Sequence, residues 1–389
     1  MTPAARVQTA ITLLDEISAG SPVEKALTGW ARRSRYAGSK DRAAVRDHVF
    51  DVIRQRRSLA ALGGGDSGRQ LMLGLCRRKE LDLATVFNGA PHAPVPLAES
   101  ELTAGRDPLE GAEAADIPDW LWPQFHESLG ELAGRAAEIM QTRAAVHLRV
   151  NIDRITRDEV IARLAAEGIV CVPHSVATTA LEVTEGARKV TQSETFKSGF
   201  VELQDAASQA VVEALKLEPG MRVLDYCAGG GGKALALAAH AGVEVVAHDV
   251  APQRMRDLPE RAARNKANIE VVTPKALRSA GQFDLVLADA PCSGSGSWRR
   301  APAGKWQLTP DRFEDLLQTQ REVMDVASGF VSGKGTFAYA TCSALNAENN
   351  EQSKGFLERN PDWVLESMQT WTVLEGGDGF FVAQMSRGL

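Results

Sequence analysis

Residues 220–249, GMRVLDYCAGGGGKALALAAHAGVEVVAHD, decide the fold. GMRVLD (220–225) is an apolar strand, KALALAAHA a helix and VEVVAHD (243–249) a second strand, with the glycine-rich turn CAGGGGK (227–233) after the first strand. Outward from there, PQRMRDLPERAARNK reads as the next helix, and IEVVTP, FDLVLAD and GTFAYAT as three further strands. Apolar strands alternating with helices predict an α/β, Rossmann-like domain with a mostly parallel sheet. In such sheets ligands bind beyond the C-terminal ends of the strands.

The turn at that edge has the chemistry of a cofactor site. Gly229, Gly230, Gly231 and Gly232 permit positive φ and let the backbone approach a ligand. Asp225 ends the first strand, and Asp249 ends the second, where a carboxylate can accept hydrogen bonds from ribose hydroxyls. A phosphate-binding loop needs G-x-x-x-x-G-K-[ST]; the glycine run leaves no room for that spacing, and Ala234 follows Lys233. The G-x-G-x-x-G pattern of nicotinamide enzymes is absent too. A nucleoside cofactor without phosphates, S-adenosyl-L-methionine, fits the loop and its two acids better; a purely structural loop is the alternative.

Two cysteines lie at the same edge. DAPCSGSG (289–296) follows FDLVLAD, and ATCS (340–343) follows GTFAY, so Cys292 and Cys342 both sit beyond strands among Pro, Ser, Thr and Gly. A buried cysteine is often only a small hydrophobe, but this setting suits a thiolate. Sulfur addition at carbon 6 of a pyrimidine makes carbon 5 able to attack an electrophilic methyl group. An acid at N3 assists, for which Asp289 is the candidate, and a base then removes the carbon-5 proton. RRAPAGKW (299–306) follows, offering Arg299, Arg300 and Lys305 beside Trp298 and Trp306 for RNA contacts or, alternatively, a charged loop over core tryptophans. No histidine or cysteine has the local spacing of a zinc site, so no metal is expected, although ligands distant in sequence could still meet.

The rest of the 389 residues divides into smaller pieces. Residues 1–90 read as helical, and the first sixty carry 11 basic and 6 acidic side chains, a net of +5 suited to a phosphate backbone or to a solvated face. Arg32, Arg33, Arg35, Lys40, Arg42, Arg46, Arg54, Arg56 and Arg57 supply most of that charge. Residues 91–118 read as a linker rich in Pro, Ala, Gly and acids, and 119–144 as a connecting helical segment starting near Trp120. Residues 145–210 read as a small α+β domain with strands VHLRVN (146–151) and IVCVP. Thr156 and Glu159 form a capping box for the helix between them, which ends near Gly168. Residues 211–389 form the catalytic domain.

The formal net charge of −6 excludes a uniformly basic, histone-like surface but not a local RNA-binding face, because residues 91–140 alone carry 10 acids and 2 bases. The five cysteines are scattered and odd in number, which predicts free thiols and a reducing, cytoplasmic setting. No membrane-spanning stretch and no secretory leader is expected.

Taken together, these motifs resemble the Nop/Sun-type RNA cytosine-5 methyltransferases, most of all the bacterial 16S ribosomal RNA enzymes of the RsmB kind. LRVN (148–151), F-x-x-G-F-V-E-L-Q-D-A-A-S-Q (196–209), CAGGGGK, DAPCSGSG, ATCS and ENNE (348–351) occur in the family's order, covering roughly 145–389. The resemblance implies a class I methyltransferase domain, 16S ribosomal RNA as substrate and a monomer. It implies Cys342 as the nucleophile, Cys292 as the residue releasing product, Asp289 on the cytosine and Lys305 near the active site. Asp225, Cys227, Ala228, Gly229, Gly230, Gly231, Gly232, Lys233, Asp249, Arg254 and Asp289 are implied around the cofactor. More weakly, residues 1–90 are similar to a NusB-like RNA-binding domain.

Two departures stand out. Gly229 and Gly230 replace the family's usual Ala-Pro, and Pro274 and Lys275 stand where an acid usually meets the adenine end of the cofactor. They keep a non-catalytic RNA-binding or assembly protein as a rival expectation. A cytosine-5 enzyme for transfer RNA or large-subunit ribosomal RNA is another, and a small-molecule methyltransferase a third.

Overall fold

The computed structural model describes residues 1–388, in two compact units: residues 1–143 with 298–307, and residues 144–297 with 308–389.

The first unit is helical. Helices Pro3–Ser18, Val23–Arg33, Ser39–Arg54, Arg56–Gly63 and Gly68–Arg78 bury Leu13, Leu14, Val45, Val49, Leu59 and Leu71–Leu73 in one core. A Cβ on Gly74 would lie 2.1 Å from the Leu59 carbonyl oxygen, so this glycine sets how closely the fourth and fifth helices pack. Of the basic residues near the start, Arg32, Arg33, Arg35, Lys40, Arg42 and Arg46 are exposed. Arg54 and Arg57 instead hold the fold: Arg54 Nε donates to the Arg299 carbonyl (2.8 Å) and Arg57 Nη1 to the Ile117 carbonyl (2.6 Å).

Residues 91–118 are ordered against these helices rather than free. They contain the short helix Glu99–Thr103, pinned where Arg69 pairs with Glu101 (2.6 Å) and Arg77 donates to the carbonyls of Leu62 and Ala104. Asp116 is fully buried and accepts from the backbone N–H of Arg57 and Ser58 and from Ser58 Oγ. The segment expected as one helix near Trp120 is two, Trp122–Leu129 and Ala133–Met140, broken at Gly130, whose φ is +56°.

The second unit holds two sheets. Strands β1 (Val146–Val150), β2 (Val170–Pro173), β3 (Ala180–Glu185) and β4 (Val201–Leu203) form an antiparallel sheet in the order β2-β3-β1-β4. The helix Arg157–Ala166 covers it, started by the expected capping box: Thr156 Oγ1 accepts from Glu159 N–H while Glu159 receives the Thr156 N–H. The larger sheet contains β5 (Arg222–Asp225), β6 (Glu244–His248), β7 (Ile269–Val272), β8 (Phe283–Asp289), β9 (Val331–Thr341), β10 (Trp363–Trp371) and β11 (Phe380–Arg387). Its order is β10-β11-β9-β8-β5-β6-β7. The five strands β5–β9 run parallel, and β10 and β11 add antiparallel at one edge.

Successive residues of β5 and β8 fall into two different core clusters, Val223, Leu285 and Leu287 in one and Leu224, Val286 and Ala288 in the other. Both faces are therefore buried, which is why these strands read as continuous apolar runs. The C-terminal ends of β5, β6, β8 and β9 share one edge.

Candidate active site

The glycine turn begins where β5 ends. Gly229 and Gly231 have φ of +52° and +81°, and a Cβ on Gly231 would lie 2.3 Å from Leu258 Cδ1. Both positions require glycine: a side chain at Gly231 would be strained by its backbone and blocked by its neighbour. Asp249 is 1% exposed and organises the turn from β6, its carboxylate accepting from the N–H of Gly229 and of Ala251 (both 2.9 Å) and pairing with Arg254 (3.2 Å). This acid, for which the sequence suggested a ribose contact, thus also shapes the loop. The carbonyl of Gly230 accepts from Arg261.

Asp225 differs. It is 1% exposed, and neither carboxylate oxygen has a hydrogen-bond partner. Burial, reinforced by the nearby charge of Asp289, pushes its pKa up to about 7. A buried carboxylate left without partners beside a glycine cradle is a ready acceptor for a cationic or N–H-bearing ligand. Cys227, in the same turn, is held protonated by burial and the surrounding acids.

Lys233 reaches from the start of the helix after the loop to Asp289 at the end of β8, with Nζ 2.7 Å from Oδ2. Burial works against its charge, but the Asp289 carboxylate, its hydrogen bond and further nearby anions outweigh that effect and raise its pKa. Asp289 faces the site as the partner of Lys233, 31% exposed.

The two cysteine motifs meet. Cys292 Sγ and Cys342 Sγ are 3.3 Å apart. The hydrogen bond to Cys342, then burial, then the charges of Cys342 and Glu348 hold the Cys292 pKa well above the thiol range, so Cys292 keeps its proton. Parallel pairing of β8 with β9, with Asp289 opposite Ala340, brings the two loops side by side.

Glu348 fixes that juxtaposition. It is fully buried. Its Oε1 accepts from Ser293 N–H (2.7 Å) and Gln320 Nε2 (3.0 Å), and its Oε2 accepts from Ser293 Oγ (2.5 Å) and Ser343 Oγ. Ser293 follows Cys292 and Ser343 follows Cys342, so one carboxylate grips the residue after each thiol. Gly296 N–H donates to the Cys342 carbonyl (3.0 Å), and Asn349 ties Thr341 to the Ser343 carbonyl. Sequence reading quoted ENNE (348–351) but gave it no role. Its signal was an acid following a cysteine–serine pair in a stretch that folds back on the strand end.

Residues 298–307 belong to the helical unit. Lys305 is 2% exposed, and its Nζ donates to the Arg54 carbonyl (2.7 Å) beside the Trp306 ring; burial lowers its pKa to about 8. Arg299 is buried as well, and Trp306 Nε1 donates to the Ile53 carbonyl (2.7 Å). Of the three cations only Arg300 is exposed. The reason is physical: a lysine beside tryptophans in a short helix, Ala303–Gln307, finds a buried carbonyl partner and becomes part of the packing. At the end of β7 the chain turns into the helix Pro274–Leu277 with Lys275 exposed, and no acid stands there.

The parallel sheet with an antiparallel edge pair, and a glycine cradle at the strand ends, define the class I methyltransferase fold. Residues 212–386 match the family described as 16S rRNA methyltransferase RsmB/F, and residues 117–191 match its ferredoxin-like domain. Among curated relatives, ribosomal RNA small subunit methyltransferase B of Vibrio cholerae is 36% identical over 283 residues, which is 69% of this chain and 65% of that protein. The protein of the same name from Sodalis glossinidius is 34% identical over 295 residues, 71% of this chain and 68% of that one. The match thus spans just under two thirds of the length of the Vibrio relative. A methyltransferase homolog protein from Pyrococcus horikoshii shares the fold, with a TM-score of 0.61, 23% identity, and coverage of 72% of this chain and 97% of that one. The chain belongs to the RsmB/F methyltransferase family.

Proposed function

We propose that this protein transfers a methyl group from S-adenosyl-L-methionine to carbon 5 of cytosine in RNA, with 16S ribosomal RNA as the substrate. The observation that carries this reading is the pair of thiols 3.3 Å apart at the strand-end edge beside Asp289. The names of the relatives point to small-subunit ribosomal RNA. The cofactor fits the residues present: the partnerless Asp225 carboxylate and the Gly229–Gly232 cradle would hold it, with Asp249 and Arg254 shaping the loop. When bound, it supplies an electrophilic methyl group.

The chain's own groups divide the remaining work. Cys342 sulfur forms the bond to carbon 6, and the electrons of the 5,6 double bond become available at carbon 5. Asp289, paired with Lys233, would be the acid that hydrogen-bonds the N3 and amino edge of cytosine. Once the adduct has taken up the Cys342 sulfur, Cys292 gives its own proton to solvent and then, as or through the base, takes the carbon-5 proton. The carbon-5–hydrogen electrons re-form the 5,6 double bond, the sulfur–carbon pair returns to Cys342 sulfur, and the product is released. The test is incubation with methyl-labelled cofactor and 16S ribosomal RNA, transfer RNA and large-subunit RNA, followed by bisulfite mapping. Label at a 16S cytosine is expected. RNA binding with neither cofactor binding nor label would instead favour an assembly factor, the alternative raised by Gly229, Gly230 and Lys275.

A further inference from the structure

Three side chains that can ligate a metal, from separate parts of the second unit, converge where β1, β3 and the segment after β2 meet. His147 lies in β1, and Glu182 in β3 is directly opposite it in the antiparallel register. His174 follows β2, whose Val172 pairs with the same Glu182. A ring nitrogen of each histidine and a carboxylate oxygen of Glu182 all lie within 4.8 Å of one another, and the two rings meet edge-on.

The surroundings orient one of these ligands. His147 is 2% exposed, and its Nδ1 lies 3.0 Å from Asp205 Oδ2. Asp205 is itself fixed by the N–H groups of Ala207 and Asp378 (both 2.9 Å). The same nitrogen is approached by the Ala206 N–H (3.3 Å), so Asp205 and Ala206 together hold the ring from its Nδ1 side, in the way a carboxylate orients a histidine that binds a metal through its other nitrogen. Gly376, at φ +92°, passes so close to His174 Nε2 that a Cβ would lie 2.9 Å from it.

We propose that His147, His174 and Glu182 form a binding site for one divalent transition-metal ion of the zinc class, with three protein ligands and solvent at the fourth position. Two imidazoles and one carboxylate are donors that suit zinc and its neighbours rather than magnesium or calcium. At metal–ligand distances of about 2.0–2.1 Å the donor atoms would close to roughly 3.3 Å apart. The half-buried Glu182 can swing inward, and the Val176 N–H that His174 Nδ1 accepts at 3.2 Å would be displaced if that nitrogen turned to the metal. The ion would join β1, β3 and the segment after β2, and by binding only the folded chain it would stabilise it.

The full-length protein, stripped with a chelator, is titrated with zinc chloride by calorimetry and with cobalt chloride by visible absorption. One equivalent is expected, with a cobalt spectrum lacking the thiolate charge-transfer band that binding at Cys292 and Cys342 would give. Glu182→Gln and His174→Asn should each weaken zinc binding tenfold or more, while the metal-free urea midpoint of Glu182→Gln stays at that of the wild type. Zinc should raise the wild-type melting temperature and not that of either variant. No binding beyond a magnesium control, binding unchanged in both variants, or binding abolished by Cys292→Ser would overturn the site.

Discussion

Glu348 offers the sharpest test of how the two thiols are held together. Its carboxylate receives four hydrogen bonds, from Ser293 N–H, Ser293 Oγ, Gln320 Nε2 and Ser343 Oγ, with no exposure to solvent. Glu348→Ala removes every acceptor at once. The hydroxyls can turn to other partners, and Gln320 Nε2 keeps the Pro291 carbonyl (2.9 Å), but Ser293 N–H and one Gln320 N–H lose their acceptor, at about 1–3 kcal/mol each. Relief from burying a charge offsets part of this, leaving a net loss of about 1–4 kcal/mol.

Glu348→Gln is the discriminating variant. Its amide oxygen can keep both N–H donors while the two serine hydroxyls rotate to accept from its NH2 group. Only the charge assistance is lost, about 1–2 kcal/mol. The catalytic effect follows a different scale, because a displacement of about 1 Å between reacting groups can lower a rate about 100-fold. Urea denaturation with a constant m-value gives the stabilities, and single-turnover methyl transfer gives the rates. Glu348→Ala should lose both stability and rate, and Glu348→Gln should keep most of each. An alanine variant with an unchanged midpoint and rate would refute the reasoning, as would a glutamine variant as impaired as alanine.

Three further predictions rest on the same site. The Asp225 pKa is raised from 3.8 to about 7, so its contribution to stability is present below pH 4 and lost as pH rises to 7. That amounts to roughly 4 kcal/mol, which Asp225→Asn should remove from the cofactor-free pH–stability curve; identical curves for the two proteins would count against it. Because the Cys292 and Cys342 sulfurs are 3.3 Å apart, diamide should oxidise both thiols to a disulfide with loss of two hydrogens, block methylation, and be reversed by dithiothreitol. A modified protein still carrying both thiols would contradict that geometry. Gly231→Ala places a side chain at φ +81° against Leu258 and should cost about 2 kcal/mol in urea unfolding and weaken cofactor binding; an unchanged midpoint would show that the turn tolerates a Cβ.

The legibility of the fold followed how local its signals were. The run from Met221 to Asp249 carries strand, turn and helix in one stretch, and the buried parallel strands announce themselves through uninterrupted apolar residues. The edge strand β10 does not: from Val364 to Thr370 its side chains are exposed, and polar residues interrupt its pattern, so it was missed along with its partner β11. Residues 91–118 read as a linker because nothing in their composition shows that Arg69 and Arg77 bind their carbonyls from another helix. The same limit applied at the site. Cys292, Cys342, Asp225 and Asp289 could be singled out by residue type and by their place after apolar strands. Glu348 and the partner of Lys305 could not, because each depends on a contact made across many residues of chain. The position of Asp249 was legible, but its hydrogen bonds to Gly229 and Ala251 were not.

The division of labour between the cysteines is the centre of the proposed chemistry. Cys292→Ala protein mixed with substrate RNA and S-adenosyl-L-methionine, denatured and digested, can be examined by mass spectrometry for a peptide covalently joined to a nucleotide. An adduct at Cys342, absent from Cys342→Ala protein, is the predicted result. An adduct at Cys292 in the wild type that survives Cys342→Ala, or full methylation by the Cys342→Ala protein, would contradict it.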